Sequence, residues 1–172
     1  MHLLFSVVLL ATLASADVFD GPYYIANNRT GHEAAWDGTR EGDAVQFKAS
    51  HQPWEFEEVS HGLHPWYVIT GKSSYTYPPY NPVWTQIGFP EYKDGAVARL
   101  QSSVVPIFEI TSVGDELYKI ISNDSPTRNP SEKLAWTVER LSAEDQTEVL
   151  KLRPYRGTLD QHFNVIKAIF PP

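Results

Sequence analysis

The chain has 172 residues, 42% of them hydrophobic and none of them cysteine, with a formal net charge of −7. That charge argues against nucleic acid and anionic membrane surfaces as partners, because both recruit positive charge. Without disulfides the fold must stand on its own core, and 13 prolines, 9 tyrosines and 5 tryptophans suit a turn-rich β protein better than a helical one.

In chain order, Leu3 to Leu13 is an almost unbroken apolar run ending in Ala14-Ser15-Ala16. Roughly ten apolar residues are too few for a bilayer, which needs about 20. The pattern predicts a secretory signal peptide over residues 1–16, cut before Asp17, and hence a secreted, extracellular protein with one domain over residues 17–172. No later apolar stretch is long enough for a membrane. In a secretory compartment Asn28-Arg29-Thr30 and Asn123-Asp124-Ser125 read as N-glycosylation acceptors at Asn28 and Asn123, with Pro126 hindering the second.

The remainder reads as three diverged copies of one unit, over about residues 17–61, 62–113 and 114–172. Tyr23-Tyr24-Ile25-Ala26-Asn27, Trp66-Tyr67-Val68-Ile69-Thr70 and Leu117-Tyr118-Lys119-Ile120-Ile121 each carry a tyrosine early in an apolar, β-favouring run. A tryptophan follows at Trp36, Trp84 and Trp136. Then come short alternating segments, Val45-Gln46-Phe47, Val97 to Leu100 and Val149 to Leu152. Each unit closes on aromatic-polar-apolar: Trp54-Glu55-Phe56, Phe108-Glu109-Ile110 and Phe163-Asn164-Val165. Period-two alternation predicts strands with one buried face. Four strands in each of three units give twelve, the arrangement of an all-β β-trefoil with pseudo-threefold symmetry. A β-sandwich shares the strand spacing but not the threefold recurrence. Tyr24, Tyr67, Tyr118, Trp54, Phe108 and Phe163 are the expected core. Ser142 to Thr147 could form one helical turn with Ser142 as its cap. A monomer is expected.

Catalysis finds little support. His61 and His64 stand close in a predicted turn without an associated third ligand, so no metal site is expected. No Gly-x-Ser-x-Gly elbow, cysteine nucleophile, His-Glu-x-x-His or phosphate loop occurs. No catalytic residue and no cofactor are predicted, which leaves binding roles.

Gln52-Pro53-Trp54 resembles the Gln-x-Trp motif of ricin-B-type lectins, and Gln161-His162-Phe163 echoes it, whereas Pro106-Ile107-Phe108 lacks the glutamine. Sugar recognition in those lectins leans on an aspartate early in each unit. At the aligned positions this chain has Ala35, Val83 and Ala135, which cannot accept hydrogen bonds from hydroxyls. A surviving sugar site would centre on Trp36, Asp37 and Gln52.

Gly21-Pro22-Tyr23-Tyr24-Ile25 resembles the Gly-x-Tyr-x-Ile opening of the fungal β-trefoil serine protease inhibitors, the cospin-like family, related in fold to ricin-B-type lectins. The third unit is similar to that family's end, with Tyr118-x-Ile120, Trp136-x-Val138, Val149 to Pro154 and Phe163-x-Val165. The resemblance implies a serine protease as partner, no cofactor and no catalytic residue. Inhibition needs an exposed loop held rigid at both ends, and an acidic specificity pocket prefers Arg or Lys. The loop of Thr39, Arg40 and Glu41 is the first candidate, which favours a trypsin-like target. Thr127, Arg128 and Asn129, stiffened by Pro126 and Pro130, are the second. The stretch from Tyr75 to Tyr80 offers aromatic contacts instead. The sequence thus expects a protease inhibitor, with a glycan-binding lectin as the alternative.

Overall fold

A computed structural model describes residues 19–36, 41–59, 65–71, 85–102, 106–122 and 133–169. Twelve strands run through them: β1 (Pro22–Asn27), β2 (Glu33–Ala35), β3 (Gln46–Lys48), β4 (Trp54–Glu58), β5 (Trp66–Gly71), β6 (Thr85–Gly88), β7 (Arg99–Gln101), β8 (Phe108–Gly114), β9 (Leu117–Ser122), β10 (Leu134–Arg140), β11 (Glu148–Pro154) and β12 (Phe163–Lys167). Six of them close a barrel. β1 pairs with β4, β4 with β5, β5 with β8, β8 with β9, β9 with β12 and β12 with β1, all antiparallel. Closure leaves the barrel no free edge.

The other six strands form the hairpins β2–β3, β6–β7 and β10–β11. A ring of backbone hydrogen bonds joins the hairpins. Val45 N–H donates to the Ala98 carbonyl (3.1 Å), Ala98 N–H to the Leu150 carbonyl (2.8 Å), and Leu150 N–H to the Val45 carbonyl (3.1 Å). Each unit donates to the next and the third returns to the first, so the ring encircles a pseudo-threefold axis. This is a β-trefoil.

Strand register fixes which residues are equivalent. Tyr23 lies opposite Trp54, Tyr67 opposite Phe108, and Tyr118 opposite Phe163. Ile25, Ile69 and Ile120 follow two residues on, all fully buried, and Phe47, Leu100 and Leu152 fill the hairpin layer. Trp54, Phe108, Phe163 and Tyr67 are buried as expected, and Tyr118 packs half-buried against the core. Tyr24 differs. Tyr23 takes the symmetric inward position, and because successive side chains on a strand point to opposite faces, Tyr24 points outward, edge-on to His51.

The tryptophans differ too. Cross-strand pairing aligns Trp136 with Ile87 and Ala34, and Trp36, two residues further along its strand, with Phe89 and Val138. Trp84 lies outside the described residues. The tryptophans are therefore not one repeated position. They compensate for volume. Trp136 fills its own place in unit three, with Phe108 and Phe163 edge-on to it. Unit one has only Ala34 there, and its closing aromatic is the larger Trp54, whose Nε1 donates to the Ala34 carbonyl at 2.9 Å. Close packing requires such trades of large for small.

The open end of the barrel is stopped by Phe19. Its ring stacks on Phe56 at 4.7 Å and meets Tyr23, Tyr67 and Tyr118 at 5.3–5.5 Å, so it touches all three symmetric tyrosines. Residues 142–147 form a hairpin turn instead of the expected helical one. Ser142 Oγ accepts from Asp145 N–H (3.0 Å), but Leu141 N–H goes to the Thr147 carbonyl across the β10–β11 connection. Among the described residues the helical turn is the 3-10 segment Leu159–Gln161.

Candidate binding site

Arg40 and Thr39 belong to residues 37–40, outside the described residues, but both stems of their loop are in view. On one side Trp36 lies edge-on to Trp54 (5.0 Å) and over the backbone of Gly71, where a Cβ would overlap the indole. On the other side Glu41, Gly42 and Asp43 are bonded to unit two. Gly42 N–H donates to the Leu100 carbonyl (2.8 Å), and Gly42 C=O accepts from Arg99 Nη1 (2.6 Å). Asp43 C=O accepts from Leu100 N–H (2.9 Å), and Glu41 Oε1 accepts from Ser102 N–H (3.1 Å).

Gly42 adopts φ 92°, a left-handed conformation that side chains rarely take, and Gly95 repeats it with φ 82° and a bond to the Leu152 carbonyl. The sequence carries the sign of this in Glu41-Gly42-x-x-Val45 and Asp94-Gly95-x-x-Ala98, a repeat that lies apart from the tyrosine and tryptophan landmarks. The glycines fix the loop base and do not loosen it.

The lectin-type positions are differently occupied. Gln161 is almost fully buried. Its Nε2 donates to Thr137 Oγ1 and to the Pro154 carbonyl, both at 3.0 Å, and its Oε1 accepts from Arg156 N–H at 2.7 Å. These bonds brace the β11–β12 connection and tie it to β10. Gln52 is half-buried, and so is Trp36, with Gly71 and Trp54 packed against it. Asp37 lies outside the described residues. Ala35 and Ala135 are both buried, and register aligns Ala35 with Thr137, not with Ala135.

A further feature, missed in the sequence because it joins residues far apart in the chain, is a groove of ≈ 540 Å³ between the N-terminal segment and β4–β6. Phe19 and Phe56 form its apolar part, and Asp20, Glu55, Glu57, Thr70 and Gln86 supply oxygen atoms. Units two and three are tied by Arg153, which binds Glu139 through two bonds (2.7 and 2.8 Å) and Asp94 through a third (3.0 Å). Those bonds hold the Glu139 carboxyl below its ordinary range and raise Arg153 further above its own. Burial pushes Glu33 up despite His51 at 3.5 Å.

Thr127, Arg128, Asn129, Asn123, His61, His64 and the Tyr75 to Tyr80 stretch lie outside the described residues. Among the described residues no group of three His, Asp or Glu side chains could hold a metal, and no helix is long and apolar enough to cross a membrane.

No protein-family model and no curated protein matches this chain. Solved structures do. A designed threefold-symmetric protein, ThreeFoil, superposes with TM-score 0.67 at 19% identity, over 87% of this chain and 100% of its own. The Macrolepiota procera ricin B-like lectin, solved with lactose, gives 0.53 at 16% identity over 89% and 100%. The mdaA-1 domain gives 0.58 at 12% identity over 95% and 100%. At these identities the likeness establishes the β-trefoil fold and leaves function to the residues.

Proposed function

We propose that this β-trefoil binding protein is a secreted inhibitor of serine proteases, presenting Arg40 to an acidic specificity pocket of the trypsin type. The observation that carries the reading is the bracing of both loop stems, by Trp36 over Gly71 and by four hydrogen bonds from residues 41–43 to unit two. A loop with fixed ends gives up little conformational freedom on docking, which is what separates a tight inhibitor from a substrate. Glu41 would follow Arg40 into the protease, where acidity is unfavourable. Its carboxylate is turned back onto Ser102 N–H, which supports the reading. Arg128 is the second candidate.

A second reading, glycan binding, is favoured by one observation, the groove that Phe19 and Phe56 line together with Asp20, Glu55, Glu57, Thr70 and Gln86, since sugar sites combine apolar contact with a few placed polar groups. The lactose-bound fold neighbour points the same way.

The test is a panel of trypsin-, chymotrypsin- and subtilisin-like proteases, with a glycan array in parallel. Trypsin should be inhibited, and Arg40→Ala should weaken inhibition at least tenfold, about 1.4 kcal/mol. Inhibition unchanged in both Arg40→Ala and Arg128→Ala would reject the basic-loop mechanism. Glycan retention without inhibition would establish the second reading.

A further inference from the structure

We propose that Asn28 carries an N-linked glycan, at the seam where the first and last strands of the barrel meet. The proposal rests on the chain entering the secretory route, which the apolar run over residues 3–13 predicts. It is independent of protease or sugar binding. Asn28, Arg29 and Thr30 occupy the turn from β1 to β2, and the structure separates two adjacent asparagines there. Asn27 is fully buried, with Nδ2 donating to the Asp160 carbonyl (3.1 Å) and Oδ1 accepting from Arg29 N–H (3.2 Å). Asn28 is exposed, and its side chain makes no hydrogen bond among the described residues. Only its backbone is held, by N–H donation to the His162 carbonyl at 2.9 Å. The acceptor pattern therefore falls on the asparagine whose amide projects into solvent.

Chain order strengthens the case. The turn has local bonds, Gly31 N–H to the Asn27 carbonyl (2.8 Å) and Asn27 N–H to the His32 carbonyl (2.9 Å), but the bonds that anchor it to the barrel come from Asp160 and His162, next to β12, the last strand of the fold. While the nascent chain emerges, Asn28 is available long before those residues exist, so the anchoring of its backbone to the barrel cannot compete with glycosyl transfer. Once folded, the exposed side chain accommodates the sugar without rearrangement. Thr30 keeps its hydroxyl at the surface, where it accepts from His32 N–H at 3.2 Å. The glycan would rise beside the ion pairs of Glu148 with Arg29 (3.2 Å) and His32 (2.9 Å), one strand length away from the barrel end stopped by Phe19. It would shield the seam and leave that end accessible.

The experiment expresses the full chain in a secreting eukaryotic host and treats the purified protein with peptide-N-glycosidase. The mass should fall, and peptide mapping should show aspartate at residue 28. Asn28→Gln and Thr30→Ala should each be secreted without modification at this position. Thr30→Ser should keep the glycan, and Asn123→Gln should leave it in place. Secreted protein unmodified at residue 28, a glycan at Asn123 alone, or a chain retained in the cell with its N-terminal segment uncut would each overturn the proposal.

Discussion

One methyl group separates a working loop stem from a strained one. Gly71 lies in β5 where Trp36 crosses it, and a Cβ there would overlap the indole, a rigid ring that cannot bend away. Gly71→Ala should destabilise the fold by about 1–3 kcal/mol, the usual cost of overpacking. It should also shift the tryptophan fluorescence as Trp36 is displaced. Urea unfolding would measure the loss. Wild-type stability in Gly71→Ala would show that Trp36 does not rest there, and the bracing of the Arg40 loop would lose one of its two supports. Gln161 shows the same dependence on single atoms. A buried amide with three partners is a brace, and truncating it would leave Arg156 N–H and the Pro154 carbonyl without their shared partner.

Among the elements, the segment before β1 does more than lead into a strand. Phe19 closes the barrel by touching one tyrosine from each unit, so three units far apart in sequence share one plug. Burying a phenylalanine contributes about 1.5–3 kcal/mol, and this ring is partly exposed, so Phe19→Ala should cost about 2 kcal/mol. The same change should open an aromatic cavity to an apolar dye. Thermal unfolding and dye fluorescence would check both effects. A variant as stable as wild type and dark to the dye would place Phe19 outside the packed fold. The hairpins pack Phe47, Leu100 and Leu152 into the core and are tied to one another by the backbone ring of Val45, Ala98 and Leu150.

At the scale of the whole molecule, two glutamates make opposite contributions as pH changes. Glu139 is held below its unfolded value of about 4.3 by Arg153, so the unfolded chain takes up a proton first. The stability Glu139 supplies is full above that value and is lost as pH falls below it. Burial raises Glu33, so its carboxylate disfavours the fold at neutral pH, and this cost is relieved as pH falls through its raised value. Glu139→Gln should therefore lose about 1 kcal/mol near pH 7, in the range of a partly exposed ion pair, and much less near pH 3. Glu33→Gln should be neutral or stabilising near pH 7. Urea midpoints at both pH values would measure this, and equal losses for Glu139→Gln at both would exclude the linkage.

The sequence by itself determined the β-trefoil, because threefold packing needs similar side chains at similar places. The closing aromatics Trp54, Phe108 and Phe163 and the Tyr-x-Ile openings stay visible through divergence for that reason. The inward face of β1 was legible as well: Tyr23-x-Ile25 matches Tyr67-x-Ile69 and Tyr118-x-Ile120, although Tyr24 competes for the same place when read as a lone tyrosine. Only the tertiary structure decided the rest. Trp36 and Trp136 look equivalent along the chain, yet register separates them by two residues, because a core conserves total volume and not the identity of each contributor. Phe19 gave no local signal, since its partners come from three different units. The partners of Glu41, Gly42 and Asp43, which are Arg99, Leu100 and Ser102, were equally hidden, although the repeated glycines Gly42 and Gly95 mark where the chain turns. These bonds join segments that meet only after the chain has passed from one unit into the next around the axis, and no spacing within one unit encodes a contact made between units.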